Sequence, residues 1–244
     1  MNNLWSSQFS VRAGEADLFG RANVRTLFQY LEETAYHHAN QLGFSYDHMK
    51  AKGAYWVLFR LRLEMRRYPR WAETVEIETW TRGFNRLLAL RDFLIKDTEG
   101  QVLGQAASQW LLLSMANKRP VRPETIFTHP VSDMGGRALQ KDPGPAPQAE
   151  VYEFCRPVIS CYTDLDVNRH VNNTRYVEWA LNCMNASWYE NKHIRTFQME
   201  YLDETQDQCA VRLEKAAINS TSQVIRAIRE DTAKTVFHSL MEWE

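Results

Sequence analysis

The chain has 244 residues, 44% hydrophobic and 24% charged, with 29 Lys and Arg against 30 Asp and Glu for a net charge of −1. That is an ordinary globular composition, long enough to bury a sizeable core in one large domain or two smaller ones. Balanced charge gives no global case for nucleic acid, and the longest clearly apolar run, Trp110-Leu111-Leu112-Leu113, falls far short of the roughly 20 residues that cross a bilayer as a helix.

Met1 to Ser10 lacks a basic region followed by an apolar stretch, so no secretory signal is expected and the expected location is the cytoplasm. Cys155, Cys161, Cys183 and Cys209 form no C-x-x-C pair, so zinc is not expected and free buried thiols in a reducing compartment are. His37, His38 and His48 are metal-ligand types, but neighbours on a helix face different directions, so structural or surface roles are expected. No metal and no cofactor are expected.

In chain order, Phe9 to Ala13 reads as a first strand or lead-in. Val24 to Leu42 reads as a helix, with Val24, Leu27, Leu31 and Ala35 near helical spacing and Gly43 placed to end it. Strands are expected over Tyr55–Met65, Thr74–Trp80, Leu87–Lys96 and Val102–Met115, with a hairpin turn at Asp97-Thr98-Glu99-Gly100. The texture then changes: Asp133 to Gln148 holds Gly135-Gly136 and Pro143-Gly144-Pro145-Ala146-Pro147 with little apolar content, the best linker in the chain. The second half repeats the order: a lead-in strand over Val151–Ile159, a helix from Asn173 to about Tyr189, then strands over Ile194–Leu202, Cys209–Ile218, Gln223–Arg229 and Thr235–Trp243. One helix followed by consecutive strands implies α+β, an antiparallel sheet wrapped around a helix, twice. The expected division is 1–134, a linker over 135–150, and 151–244.

Between the second lead-in and its helix lies the densest polar stretch, Asp164-Leu165-Asp166-Val167-Asn168-Arg169-His170-Val171-Asn172-Asn173. If it is extended, Asp166, Asn168 and His170 share one side: an acid or base, an amide and an imidazole that titrates near neutrality. Asn172 and Asn173 are good N-cap residues, and Tyr176, Val177, Ala180, Leu181 and Met184 continue as an apolar helix face. A polar cluster at a helix N-terminus suits a reaction with an oxyanion transition state, because unpaired N–H groups and the helix dipole favour negative charge there. Asp, Asn and His before a helix are also common simply as caps and turn formers. A shift of 147 residues lays Asp17 on Asp164 and sets Phe19, Arg21 and Asn23 opposite Asp166, Asn168 and His170, so the first half is expected to lack the polar triplet.

The run from Asp164 to Asn173 resembles the signature of plant and bacterial acyl-ACP thioesterases. Leu31-Glu32-Glu33-Thr34-Ala35, Arg67-Tyr68-Pro69-Arg70-Trp71, Glu78-Thr79-Trp80 and Ala106-Ala107-Ser108-Gln109-Trp110 resemble further family blocks in the right order. The resemblance implies a tandem hotdog fold, hydrolysis of the thioester of fatty acyl-ACP that ends fatty acid synthesis, and acyl carrier protein with its phosphopantetheine-linked chain as partner. It also implies that the first half shapes the acyl pocket. The family's catalytic glutamate, in a Glu-Tyr-x-x-Glu context, falls at Glu204 within Met199-Glu200-Tyr201-Leu202-Asp203-Glu204-Thr205.

The roles expected are these. Glu204 activates water or attacks the carbonyl, His170 and Asn168 position nucleophile and substrate, Asp166 orients them, and backbone N–H groups near Asn172 and Asn173 hold the oxyanion. Asp166 as base is the alternative. Many relatives carry cysteine after the glutamate; here Thr205 stands there, which argues against a thiol nucleophile. Arg60, Arg62, Arg66, Arg67 and Arg70, or Lys118, Arg119 and Arg122, are candidate docking clusters for an acidic carrier. An acyl-CoA thioesterase, a hotdog 3-hydroxyacyl-thioester dehydratase and an acyl-binding regulator are the rival readings, and a monomer or a homodimer fits either way.

Overall fold

A computed structural model describes residues 4–127, 136–190 and 192–244. The chain divides into two compact units, Met1–Pro143 and Gly144–Glu244.

In the first unit, β1 (Leu4–Ser10) precedes helix α1 (Val24–Gln41) and the short helix α2 (Tyr46–Ala51). Four strands follow: β2 (Ala54–Met65), β3 (Thr74–Asn85), β4 (Leu88–Asp97) and β5 (Val102–Ser114). Among the described residues these pair antiparallel in the order β1-β3-β4-β5-β2. Helix α1 begins where the Asn23 side chain accepts the Thr26 N–H. It ends at Gly43, whose φ of +77° lets the Phe44 N–H turn back to Ala39 O. Its face of Leu27, Phe28 and Leu31 is fully buried, and Tyr30 stacks on Phe9 of β1 at 4.3 Å between ring centres. Each such side chain removed from water contributes about 1.5–3 kcal/mol, so the period of apolar residues dictates which face the sheet covers. The expected hairpin joins β4 to β5: Gly100 takes φ +83°, and Asp97 Oδ1 accepts from Glu99 N and Gln101 N.

The second unit repeats this order with β6 (Glu153–Ile159), α3 (Asn173–Leu181), α4 (Ser187–Glu190), β7 (Ile194–Tyr201), β8 (Ala210–Asn219), β9 (Ser222–Arg229) and β10 (Thr235–Trp243). Its described strands pair antiparallel in the order β7-β10-β9-β8-β6. Tyr176 sets α3 against Tyr201 of β7 and Phe237 of β10. Each unit is an antiparallel sheet with its principal helix packed against it: the hotdog arrangement, in tandem along the chain.

Four expectations need correction. The first strand, expected over Phe9 to Ala13, runs Leu4–Ser10, and Ala13 opens a single 3-10 turn. The helix read to Tyr189 stops at Leu181, where the N–H groups of Cys183 and Met184 bond three residues back and the Tyr189 hydroxyl donates to Leu181 O. Asn182 and Asn185, whose amides compete with helical hydrogen bonding, follow that end. Strand β3 runs past Trp80 to Asn85 through a register shift at Gly83, φ +79°. Not every thiol is buried: Cys161 is exposed, and Cys155 and Cys209 are half-buried.

The stretch read as a linker begins outside the described residues; from Gly136 to Glu150 it holds no helix or strand. It is nevertheless fastened. In the first unit Trp80 Nε1 donates to Gly136 O, Ala138 N donates to Asp92 Oδ1, and Arg82 pairs with both Asp92 and Asp142. In the second, Gln198 Nε2 donates to Gly144 O and Ala146 N donates to Glu200 Oε2. Leu139 and Ala146 are buried.

Candidate active site

The polar motif does not run extended. Leu165 and Val171 bridge as an antiparallel pair, Asp166 N donates to His170 O at 2.8 Å, and Arg169 takes φ +62°. The residues between form a tight turn. Asp166 Oδ1 sits inside it and accepts from Asn168 N at 2.7 Å and His170 N at 3.3 Å, as an Asp that opens a turn does. Asp166 thus reaches His170 through its backbone N–H. Asn168 is exposed at the tip.

Helix α3 starts directly after. Asn172 is its N-cap, its Oδ1 accepting from Thr174 N at 2.9 Å and Thr174 Oγ1 at 2.7 Å. The Asn172 N–H donates to Asp164 O at 2.8 Å, which removes it from the donors open to an oxyanion. Asn173 is the first residue of the helix, and its carbonyl accepts from the Tyr201 hydroxyl. Asp164 is buried and accepts from Cys161 N and Arg175 Nε. Burial pushes its carboxyl up, but the Cys161 N–H and the Arg175 guanidinium outweigh burial and hold it below its ordinary value.

Glu204 arrives from the irregular segment that follows β7. Its Oε2 lies 3.3 Å from His170 Nδ1, with both side chains about a third exposed or less. The backbone explains how it gets there. Thr205, fully buried, gives its carbonyl to Val171 N at 2.8 Å and its N–H to the Tyr176 hydroxyl at 3.0 Å. Arg229 Nη1 donates to Glu204 O at 3.3 Å. Two stretches some 30 residues apart in sequence are so stitched that an imidazole and a carboxylate meet at an open surface. With Nδ1 turned to Glu204, Nε2 is the ring atom left to face a substrate or water.

The thiols are poorly disposed for attack. Cys209 Sγ contacts Ala210 O, and burial pushes its thiol up despite Arg229 nearby. His38, on α1, is wholly buried with its Nδ1 2.8 Å from Arg91 Nη1, and burial first, then the Arg91 charge, holds it down to about 4.

The first unit contains the same turn, at a shift of 149 residues in place of the expected 147. Ala16 bridges Ala22, Asp17 N donates to Arg21 O, and Gly20 holds φ +70°. Asp17 Oδ1 accepts from Phe19 N and Arg21 N, and Asn23 caps α1. Asp17 thus matches Asp166, Phe19 matches Asn168, Arg21 matches His170 and Asn23 matches Asn172. The first half keeps the Asp of the expected triplet and lacks the amide and imidazole. The segment bearing Glu204 is duplicated too: Ala22 N donates to Pro69 O as Val171 N does to Thr205 O, so Tyr68 stands where Glu204 does.

Sequence reasoning missed Tyr176 and Arg229 as supports of the site. Tyr176 was readable as an apolar helix residue; the available signal was that a buried Tyr hydroxyl requires a polar partner.

Residues 2–129 match the acyl-ACP thioesterase N-terminal domain and residues 154–244 the C-terminal domain. The chain is 30% identical over 224 residues to oleoyl-acyl carrier protein thioesterase 1 of Arabidopsis thaliana, covering 83% of this chain and 60% of that protein. It is 27% identical over 215 residues to a palmitoyl-acyl carrier protein thioesterase of Gossypium hirsutum, covering 81% of this chain and 51% of that one. It therefore spans about half to three-fifths of these curated relatives. The fold matches an acyl-ACP thioesterase from Bacteroides thetaiotaomicron with a TM-score of 0.89 at 23% identity, over 100% of this chain and 98% of that one. With both domain models matched in order across most of its length, the chain belongs to the acyl-ACP thioesterase family.

Proposed function

We propose that the protein hydrolyses the thioester of fatty acyl-ACP, releasing free fatty acid and holo-ACP and so ending chain growth. The observation that carries this reading is the His170–Glu204 pair, 3.3 Å apart, at the edge of a helix N-terminus. The carboxylate takes a proton from water, and the hydroxide formed attacks the carbonyl carbon. His170 fixes the carboxylate and offers Nε2 to the water or the substrate. The Asn168 side-chain amide and the Asn173 N–H at the first turn of α3 are the donors proposed for the oxyanion. Collapse of the tetrahedral adduct breaks the carbon–sulfur bond, the phosphopantetheine thiolate departs as a good leaving group, and it takes up the proton held by Glu204, which restores the carboxylate. Asp166 holds the turn and takes no proton.

Support for a carrier-protein partner is local. Arg62 pairs with Glu64, and Arg67 with Glu73 and Asp97, while Arg66 and Arg70 of the first cluster and Arg119 and Arg122 of the second are exposed, so both clusters stand as docking candidates. Four free cysteines fit the cytoplasmic location proposed from sequence. No helix among the described residues is long and apolar enough to cross a membrane.

The test is thiol release from saturated acyl-ACPs of graded chain length, beside matched acyl-CoAs. Turnover on acyl-ACP that falls on the order of 10²–10⁴-fold in His170→Ala and in Glu204→Gln is expected. Faster turnover of acyl-CoA would move the substrate assignment, and no thiol release from either would end the hydrolase reading.

A further inference from the structure

We propose that Tyr176 is a positioning residue of this site, whose phenol oxygen sets where Glu204 stands relative to His170. The inference rests on the thioesterase reading for its kinetic consequence but not for its geometry.

The peptide that links Glu204 to Thr205 is held at both ends. Its carbonyl oxygen accepts from Arg229 Nη1 at 3.3 Å, and its N–H donates to Tyr176 Oη at 3.0 Å. The next carbonyl, that of Thr205, accepts from Val171 N, one residue beyond His170. The plane of this peptide fixes the direction in which the Glu204 side chain leaves the backbone. Tyr176 itself has little freedom. It is 3% exposed, sits one turn into α3, and its ring is held by Trp179, Tyr201 and Phe237. Burial raises its hydroxyl well above the ordinary tyrosine range, so the group stays neutral.

The duplicated unit acts as an internal control. At the matching positions it has Leu27, fully buried, and Pro69, which has no N–H to donate. The carbonyl half of the arrangement survives there, as Ala22 N to Pro69 O. Hotdog packing and the turn therefore do not require the phenol. The bond from Thr205 N to Tyr176 is found in the unit that carries the His–carboxylate pair and is absent where Arg21 and Tyr68 replace it. A structural tyrosine common to the fold would be expected in both.

The experiment is Tyr176→Phe, which keeps the ring and deletes the acceptor, beside Tyr189→Phe. The latter deletes a hydroxyl that donates to Leu181 O at the far end of the same helix. Reactive geometry is sensitive at the ångström scale, so Tyr176→Phe should lower kcat about 10–100-fold with KM changed less than about two-fold. Tyr189→Phe should leave both unchanged, with a comparable loss of melting temperature. The ¹⁵N shifts of the His170 ring, which report its contact with Glu204, should move in Tyr176→Phe alone. Unchanged kcat in Tyr176→Phe overturns the proposal, as does a fall in kcat with unmoved ring shifts. If the wild type releases no thiol, the proposed activity fails separately. The ring shifts then decide this inference on their own: moved supports it, unmoved ends it.

Discussion

In the first unit the Asp17 carboxylate accepts from the second and fourth residues after it; in the second unit Asp166 does the same. A left-handed residue closes each turn, Gly20 in one and Arg169 in the other, and an Asn caps the helix that follows. What differs is a handful of side chains on that shared backbone: Phe19 for Asn168, Arg21 for His170, Tyr68 for Glu204. The comparison separates scaffold from chemistry. Residues kept in both units make the turn, and residues changed between them are the ones we propose for the site. By that criterion we propose a scaffold role for Asp166, which sequence alone left a candidate base.

The largest expected effect breaks the comparison at the changed positions. His170→Ala and Glu204→Gln should each lower kcat on acyl-ACP on the order of 10²–10⁴-fold, whereas Arg21→Ala and Tyr68→Phe should stay within about two-fold. Comparable losses in the first-unit variants would show that the shared turn, rather than its side chains, carries the activity. Asp166→Asn sharpens the same point. It retains an oxygen at Oδ1 for both N–H groups, so most activity should survive; a loss as deep as that of His170→Ala would make Asp166 the base after all. Asp166→Ala and Asp17→Ala remove the acceptor altogether and should each destabilise by about 1–2 kcal/mol, measured by denaturant midpoint. Cys209→Ser should keep kcat within about two-fold, since its thiol is pushed up and Thr205 occupies the position beside the glutamate.

The smallest effect concerns acid. Glu15 and Asp164 occupy matching places ahead of the two turns. The Arg12 hydrogen bond chiefly holds Glu15 down to about 2, from 4.5, against the pull of its own burial. Hydrogen bonds from Cys161 and Arg175 hold Asp164 down against burial. A carboxylate depressed in the folded state contributes stability that is complete above its unfolded value and lost as pH falls toward the folded one. Glu15→Gln should therefore lower the melting temperature at neutral pH and flatten its decline between about pH 4.5 and 2. Because the Arg12 side chain is 80% exposed, screening keeps the change modest. A wild-type acid limb that Glu15→Gln leaves unaltered would remove this carboxylate from the account.

Most of the fold was legible because period and capping are local: Val24, Leu27 and Leu31 announce α1, and alternation announces β2 and the first part of β3. Strand β1 was read late because Ser6, Ser7 and Gln8 interrupt its apolar pattern; pairing with β3 makes the strand. Helix α2 was missed because six residues show less than two full turns of periodicity. At the site, His170 and Asn168 stood out by type, but Glu204 came through family likeness alone. Nothing local marks a carboxylate some 30 residues downstream as the partner of an imidazole, and the bonds that bring them together end on the backbone of Glu204 and Thr205, where residue type leaves little mark. The register of the internal repeat was off by two for a related reason. With little identity between halves, the match rests on hydrogen bonds, not letters.

The Pro- and Gly-rich stretch after the first sheet has a practical consequence for protein engineering. Its composition would recommend it as a place to splice in a tag or reporter domain. Yet Gly136, Ala138, Asp142, Gly144 and Ala146 are each tied to a sheet residue. Cargo placed there would have to displace buried ion pairs and hydrogen bonds. The hairpin at Glu99–Gly100 is the better splice point: both residues are exposed, and a Cβ added at Gly100 meets nothing within 4 Å. Fusions at the two places should differ in soluble yield and melting temperature, with the hairpin fusion close to the parent.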